Sequence, residues 1–123
     1  MPGDHIDEAS KPPFQKTESG LQYRILRQGD GKVPGEKSTL SMYLRGWLDD
    51  GTEIINLYKQ GVPKYTYLGE MIPGMREGLK LLRGGGKIEL TIPSELGLGA
   101  DGDPPLVPPN STLHYEIDLI SVE

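Results

Sequence analysis

The side chains able to do chemistry are few in this sequence, and they form no catalytic group. The chain contains no cysteine and two histidines, His5 and His114. Thiolate ligands and cysteine nucleophiles are therefore excluded, and His5 lies in an N-terminal tail, so no metal or cofactor site is expected. His114 alternates with apolar neighbours in the segment TLHYEIDL, which predicts that its ring points to solvent and has no catalytic role.

Carboxylates and hydroxyls are present, but their spacing indicates neither an acid–base pair nor an activated nucleophile. The chain contains enough serine, histidine and aspartate residues for a Ser/His/Asp triad. However, nothing in the sequence marks a nucleophile beside His114. The glycines at residues 84–86 follow a predicted helix, so we expect them to end it rather than to bind phosphate. Five carboxylates are predicted to be solvated rather than catalytic: Asp49, Asp50, Glu53, Glu70 and Glu95.

The composition is typical of a soluble globular chain. The 123 residues carry a net charge of −5 and their 13 lysines and arginines are scattered, which argues against binding to nucleic acid. No apolar run approaches the roughly 20 residues of a membrane helix, and the first residues lack the apolar core of a signal peptide. Because the absence of cysteine also fits a reducing compartment, we expect a cytoplasmic protein without membrane contact.

The segment of residues 71–86, MIPGMREGLKLLRGGG, is the only good helix candidate. Pro73 suits a first helical turn, since its fixed φ is already helical and its missing N–H would go unpaired there. Met75, Leu79 and Leu82 recur at helical spacing and predict one apolar face. The sequence therefore predicts one short helix that begins at Pro73 and ends at the following glycines.

Alternating apolar and polar residues elsewhere predict β-strands, which are expected to be antiparallel. A helix covering one face of a curved sheet gives an α+β fold with a single core. Residues 1–16 are predicted to form a flexible N-terminal arm and residues 17–123 the folded domain, with a long glycine- and proline-rich loop at 93–109. A pocket is expected where this loop, the sheet and the helix N-terminus meet. The predicted strands are residues 20–27, 39–48, 52–58, 64–68, 87–92 and 112–122.

Several segments of this chain resemble the FKBP-type peptidyl-prolyl isomerases. They include SGLQYRILRQGDG, RGWLDDGTE, IPGMREGL, GGKIELTIPSELGLG and VPPNSTLHYEIDLI, and they are most similar to the branch of the macrophage infectivity potentiators. The resemblance covers residues 17–122 in unbroken order. It implies an FKBP-like fold, with a half-twisted antiparallel sheet wrapped around the helix and a hydrophobic cleft between them, and it implies prolyl isomerisation.

The positions that the resemblance assigns to the pocket carry altered residues. Ile55 stands where the family has a buried aspartate, Met75 where it has a tryptophan, and Leu44 and Leu98 where it has tyrosines, so no catalytic residue of the family is intact. The backbone at residues 54–58 is expected to depart from that of its relatives. The ligand-binding positions implied by the resemblance are Leu44, Ile54, Ile55, Asn56, Leu57, Thr66, Met71, Ile72, Met75, Leu98, Val107 and Tyr115.

Three functions remain open for such a pocket. The main hypothesis is that selection or deliberate engineering repurposed it for a rigid apolar small molecule such as a steroid, secosteroid or terpenoid, because the replacements leave a more aliphatic cavity with flexible methionines. Tyr115, Thr66 and Asn56 would meet the hydroxyls of such a ligand. One alternative is weak residual isomerase activity on proline-containing peptides. The other is a non-catalytic protein-interaction module using Leu106 and Val107 of the long loop, and in every case we expect a monomer.

Overall fold

The computed structural model describes residues 6–123, and its main element is one antiparallel sheet of seven strands. The strand order is β1-β2-β6-β7-β3-β4, and β5 pairs with the first half of β3 beside β4. The predicted α+β architecture with an antiparallel sheet and a short helix is confirmed. The strands are β1 (Gln15–Lys16), β2 (Gln22–Arg27), β3 (Thr39–Leu48), β4 (Glu53–Asn56), β5 (Lys64–Tyr67), β6 (Lys87–Ile92) and β7 (Leu113–Val122).

A one-turn helix, α1 (Leu57–Gln60), interrupts the segment predicted as a strand at residues 52–58. The Asn56 side chain accepts a hydrogen bond from the Lys59 N–H at 3.1 Å, and Gly61 ends the turn with a φ of 68°. Asparagine before the turn and glycine after it are the usual caps of a helix. The prediction of a single helix was therefore wrong, because these local caps override the β-branched residues before them.

The predicted helix is α2 (Pro73–Leu79), and it ends earlier than expected. After Leu79, the N–H groups of Leu81 and Leu82 donate to carbonyls three residues back, and Gly85 N–H donates to the Leu119 carbonyl of β7. These contacts draw the chain away from the helix axis and bury Leu82 completely. The prediction that residues 84–86 cap the helix was therefore wrong.

The core lies between α2 and the concave face of the sheet. Every second residue of β3, β6 and β7 points to this face, as the alternation predicted. Gly78 allows α2 to lie close to β6, because a Cβ there would come within 2.5 Å of Leu90 Cδ2. The fully buried core residues include Leu40, Met42, Leu68, Leu79, Leu82, Ile88, Ile92, Leu113 and Ile117.

The described part of the predicted N-terminal arm lies against the outer, convex face of the sheet. Gln15–Lys16 pair with β2 as strand β1. The Lys11 ammonium lies 2.7 Å from a Glu89 carboxylate oxygen of β6, and Glu8 lies 3.0 Å from Arg24 of β2. These contacts place the described part of the arm on the sheet. The flexibility that the sequence analysis expects for residues 1–16 stays a prediction. Residues 1–5, including His5, lie outside the described part of the chain.

Candidate functional site

A cleft of about 340 Å³ opens between the concave face of the sheet, strand β5 and the N-terminal end of α2. Seven of the sequence-predicted site residues lie in its wall, together with two charged residues that the sequence analysis did not place there. The lining consists of Leu44, Ile55, Lys64, Thr66, Glu70, Met71, Ile72, Met75 and Tyr115.

The floor of the cleft is built from the inner faces of β3 and β7. Leu44 is 3% exposed, and Met75 of α2 faces it with 4% exposed. Tyr115 lies directly opposite Gly46 in the ladder between β3 and β7. A Cβ on Gly46 would lie 2.6 Å from Tyr115 Cε1, so the missing side chain leaves room for the aromatic ring.

Strand β5 forms the second wall and presents alternate residues to the cleft. Lys64 and Thr66 lie in register with Met42 and Leu40, whose side chains are fully buried on the inner face. Tyr65 and Tyr67 are 71% and 51% exposed. Because neighbouring residues of a strand point to opposite faces, the hydroxyl groups nearest a ligand are those of Thr66 and Tyr115.

Five predicted site residues lie outside this lining. Asn56 caps α1, and its amide donates to Glu53 at 3.0 Å. In the ladder it lies opposite Arg45, whose side chain points to the outer face, and it borders a different cavity there. The other four pack against the core, with Val107 buried and the rest half-buried: Ile54, Leu57, Leu98 and Val107.

Polar groups in the cleft are few, and one is held in its protonated form. Burial raises the pKa of the Tyr115 hydroxyl above its ordinary value. Within residues 6–123 this hydroxyl has no hydrogen-bond partner, so it can donate to a ligand carbonyl. The Ile72 N–H likewise has no backbone partner in the described part of the chain.

The sequence analysis missed Lys64 and Glu70 as lining residues. Strand alternation could have placed Lys64 beside Thr66, since both positions lie on the same face of a predicted strand. Glu70 lies in a 3₁₀ turn, Leu68–Glu70, that no periodic pattern predicts. Both side chains are exposed, so their charges lie on the solvent side of an otherwise largely apolar cleft.

His114 points away from the core, as the alternation predicted, although its side chain is only 22% exposed. Its Nε2 lies 2.6 Å from an Asp49 carboxylate oxygen, its Nδ1 lies 3.3 Å from Thr91 Oγ1, and the ring stacks on Trp47. The side chain is on the outer face of the sheet, on the far side from the cleft. Its contacts join β3, β6 and β7, so we assign it a structural role.

The outer face also carries a network of buried charges that the sequence analysis did not predict. Lys87 is 1% exposed, and its ammonium lies 3.0 Å from Glu116 and 3.3 Å from Asp118. Arg27 contacts the same Asp118 carboxylate at 2.7 Å, and the Tyr58 hydroxyl donates to it at 2.6 Å. Burial and the neighbouring Asp118 charge raise the pKa of Tyr58, so its hydroxyl stays a donor.

Two further structural findings concern metal binding and membranes. Within residues 6–123, no group of three histidine, aspartate or glutamate side chains is arranged to hold a metal ion. No helix in this described range is long and apolar enough to cross a membrane.

Comparison with protein families matches residues 31–120 to the FKBP-type peptidyl-prolyl cis-trans isomerase model. FkpA of Escherichia coli, an FKBP-type peptidyl-prolyl cis-trans isomerase, is 40% identical over 98% of this chain and 44% of its own length. The outer membrane protein MIP of Legionella longbeachae is 37% identical over 93% of this chain and 49% of its own length. The chain thus spans about half the length of these curated relatives.

Two solved structures share the fold. The crystal structure of Escherichia coli FkpA has a TM-score of 0.87 at 39% identity and covers 94% of this chain and 54% of that one. A peptidyl-prolyl cis-trans isomerase from Pseudomonas syringae has a TM-score of 0.82 at 29% identity, with coverage of 94% and 85%. The predicted FKBP-like α+β fold, with an antiparallel sheet and a short helix, is confirmed by these matches.

Proposed function

We propose, since this chain belongs to the FKBP-type peptidyl-prolyl cis-trans isomerase family, that its cleft accelerates isomerisation of X–Pro bonds in peptides. The observation that carries the proposal is the apolar cleft of about 340 Å³ between β3, β5, β7 and α2. Its hydrogen-bond donors are few, and a bound amide would be largely removed from water.

Prolyl isomerisation needs neither a nucleophile nor a cofactor. The planar amide is stabilised by resonance that places negative charge on oxygen, and water solvates that charge separation. The barrier of about 18–20 kcal/mol reflects the loss of this resonance in the twisted state. An apolar wall formed by Leu44, Met75 and Ile55 solvates the planar form poorly and the less polar twisted form better, which is differential binding of the transition state.

Two donors in the cleft can orient the peptide. The protonated Tyr115 hydroxyl and the Ile72 N–H can each donate to a substrate carbonyl, which fixes the bond against the apolar wall. Ile55 and Leu98 lack the carboxylate and hydroxyl that the family resemblance implies at these positions. We therefore expect catalysis at least about tenfold slower than in Escherichia coli FkpA, since the loss of one preorganised hydrogen-bond donor costs about 10²–10³-fold in other enzymes.

Exchange NMR on a proline-containing tetrapeptide tests the proposal directly. The cis–trans exchange rate should rise linearly with the concentration of the protein, and no rise above the uncatalysed rate would refute the proposal. Gly46→Ala supplies the loss-of-function variant, because the new methyl group collides with the Tyr115 ring. Gly35→Ala is its matched control, since the nearest atom to a Cβ there is 3.7 Å away.

Binding of a rigid apolar small molecule stays a competing proposal for the same cleft. The aliphatic lining and a volume within the usual range of ligand pockets favour it, whereas the similar proteins named above give no support for a steroid-like ligand or an engineered origin. A steroid or terpenoid that occupies the cleft should inhibit isomerisation and raise the melting temperature. Absence of both effects would eliminate this hypothesis.

The remaining predictions concern the protein's surroundings. An interaction module using the long loop would have to depend on Leu106, which is 45% exposed, because Val107 is buried and the prediction of its exposure was wrong.

The monomeric state and the cytoplasmic location stay predictions. One relative is named an outer membrane protein, so fractionation of cells expressing the natural protein is the test of location.

A further inference from the structure

Lys64 and Glu70 are the two charged side chains in the lining of the cleft. Within residues 6–123, neither has an ion pair or a hydrogen bond. By contrast, the four basic side chains that line the outer-face cavity within residues 6–123 all contact a carboxylate: Lys11, Arg45, Lys59 and Lys87. The charges of the cleft are thus available to a ligand.

Lys64 and Glu70 belong to different elements of the lining, and both are exposed to solvent. Lys64 begins β5 and lies opposite Met42 in the ladder, so its stem follows the inner face while its ammonium reaches solvent. Glu70 closes the turn that leads into Met71 and Ile72 of the opposite wall. A ligand in the cleft therefore meets a positive group from the sheet and a negative group from the helix side.

We propose that Lys64 and Glu70 select the peptide substrate: the cleft prefers prolines flanked by one acidic and one basic side chain. This inference rests on the proposed isomerase function and specifies its substrate class. A charge beside low-dielectric apolar walls interacts more strongly with its partner than it would in bulk water. Lys64 contacts the acidic residue of the peptide and Glu70 the basic one.

Both residues act on recognition rather than on bond rotation. Their contacts involve side chains beside the proline and are the same in the planar and the twisted amide. Such uniform binding lowers KM and leaves kcat unchanged. The expected signature is a substrate preference that appears in KM and weakens as salt screens the charges.

A peptide series at low ionic strength measures the preference. One tetrapeptide carries alanine on both sides of the proline, two carry a single charge, and two carry an acidic and a basic residue in opposite orders. The better doubly charged order should exceed the alanine peptide in kcat/KM by about threefold to tenfold, with an equal kcat. In 0.5 M NaCl the ratio should approach one.

Variants assign the preference to its residues. Lys64→Met should abolish the advantage of the acidic residue, and Glu70→Gln that of the basic residue, each measured as the ratio of kcat/KM for the charged peptide to kcat/KM for the alanine peptide in the same variant. Lys16→Met and Glu18→Gln are the matched controls, because these exposed residues lie beside the opposite edge of the sheet. A preference that persists in Lys64→Met and Glu70→Gln, or no preference in the unmodified chain, would overturn the inference.

Binding measurements separate this inference from the proposed function. If no peptide is isomerised, the proposed function fails, and fluorescence anisotropy of the same labelled peptides still decides whether the cleft recognises charge. Tighter binding of the doubly charged peptide that depends on Lys64 and Glu70 supports the inference. Equal binding of all five peptides refutes it.

Discussion

The two faces of the sheet are built from the same strands but with opposite chemistry. On the inner face, Leu44 and Tyr115 border an apolar cleft with few donors. On the outer face, the adjacent residues Arg45 and Glu116 belong to a dense network of charges. The difference arises from strand alternation alone, since each step along β3 or β7 moves a side chain to the other face.

The comparison shows how stability and function are divided in this domain. The outer network attaches the N-terminal arm through Lys11 and α1 through Tyr58, and it satisfies the buried Lys87. The inner cleft leaves the Tyr115 hydroxyl and the charges of Lys64 and Glu70 without partners in residues 6–123, as a binding site requires. Substitutions on the outer face should therefore change stability, and substitutions in the cleft should change activity.

Asp118→Asn should give the largest loss of stability. The carboxylate is 2% exposed and contacts Arg27, Lys87 and Tyr58. Neutralising this carboxylate removes one of the negative charges that compensate the buried Lys87 ammonium, so we expect a loss of about 3 kcal/mol in unfolding free energy. Urea unfolding measures it, with Lys80→Met as the control, whose exposed pair should have no measurable effect. A loss as small as that of the control would show that the outer network does not stabilise the fold.

Gly78→Ala tests the packing of α2 against β6. This packing holds the helix that also carries Met75 of the cleft. Helix propensity alone predicts a gain of about 1 kcal/mol from replacing glycine by alanine in α2. The new methyl would instead lie 2.5 Å from Leu90 Cδ2, so we expect a net loss of about 1–3 kcal/mol. A stabilised variant, measured by the same urea unfolding, would mean that α2 is not held against β6 as described.

Tyr58→Phe should cost about 1–2 kcal/mol at neutral pH, because it removes a hydrogen bond to a charged carboxylate. The raised pKa of Tyr58 adds a dependence on pH. In the unfolded chain the phenol ionises near pH 10 while the folded form stays neutral, so its stabilising contribution is present below that pH and falls as pH rises above it. Thermal unfolding from pH 8 to 11 should show a flatter decline for Tyr58→Phe, and parallel curves would contradict this assignment.

Tyr115→Phe should have the smallest effect on stability and a clear effect on activity. The hydroxyl has no partner within residues 6–123, so unfolding free energy should change by less than about 0.5 kcal/mol. If the hydroxyl orients the substrate carbonyl, kcat/KM should fall about threefold to tenfold, as expected for the loss of one neutral hydrogen bond of about 1 kcal/mol. Exchange NMR and calorimetry on the same sample measure both quantities. Unchanged activity would remove Tyr115 from the mechanism.

Regular patterns made most of the fold predictable. Residues 39–48 and 87–92 were predicted with the bounds that the structure gives, because their alternation extends over the whole strand. The errors occur where capping or tertiary hydrogen bonds decide the backbone. Asn56 and Gly61 make a helical turn from a β-branched segment, and Gly85 bonds to β7 instead of capping α2.

The cleft could be predicted only in part, since a pocket depends on which faces meet in space. Seven positions carried over through the family resemblance line one cleft, whereas Asn56 faces the opposite side of the sheet because of its register with Arg45. Lys64 and Glu70 were missed because the positions carried over from the family did not include them. The outer network was missed because its pairs, such as Arg27 with Asp118, are 91 residues apart in sequence.

The location of peptide binding tests most directly whether the function belongs to the inner face of the sheet. Titration of the isotope-labelled protein with a proline-containing tetrapeptide should shift the NMR signals of Leu44, Ile55, Met75 and Tyr115, and exchange peaks between cis and trans peptide should appear at the same concentrations. Signals of Lys87 and its neighbours on the outer face should stay in place. Shifts concentrated around Lys87, with the cleft signals unchanged, would contradict the assignment of function to the inner face.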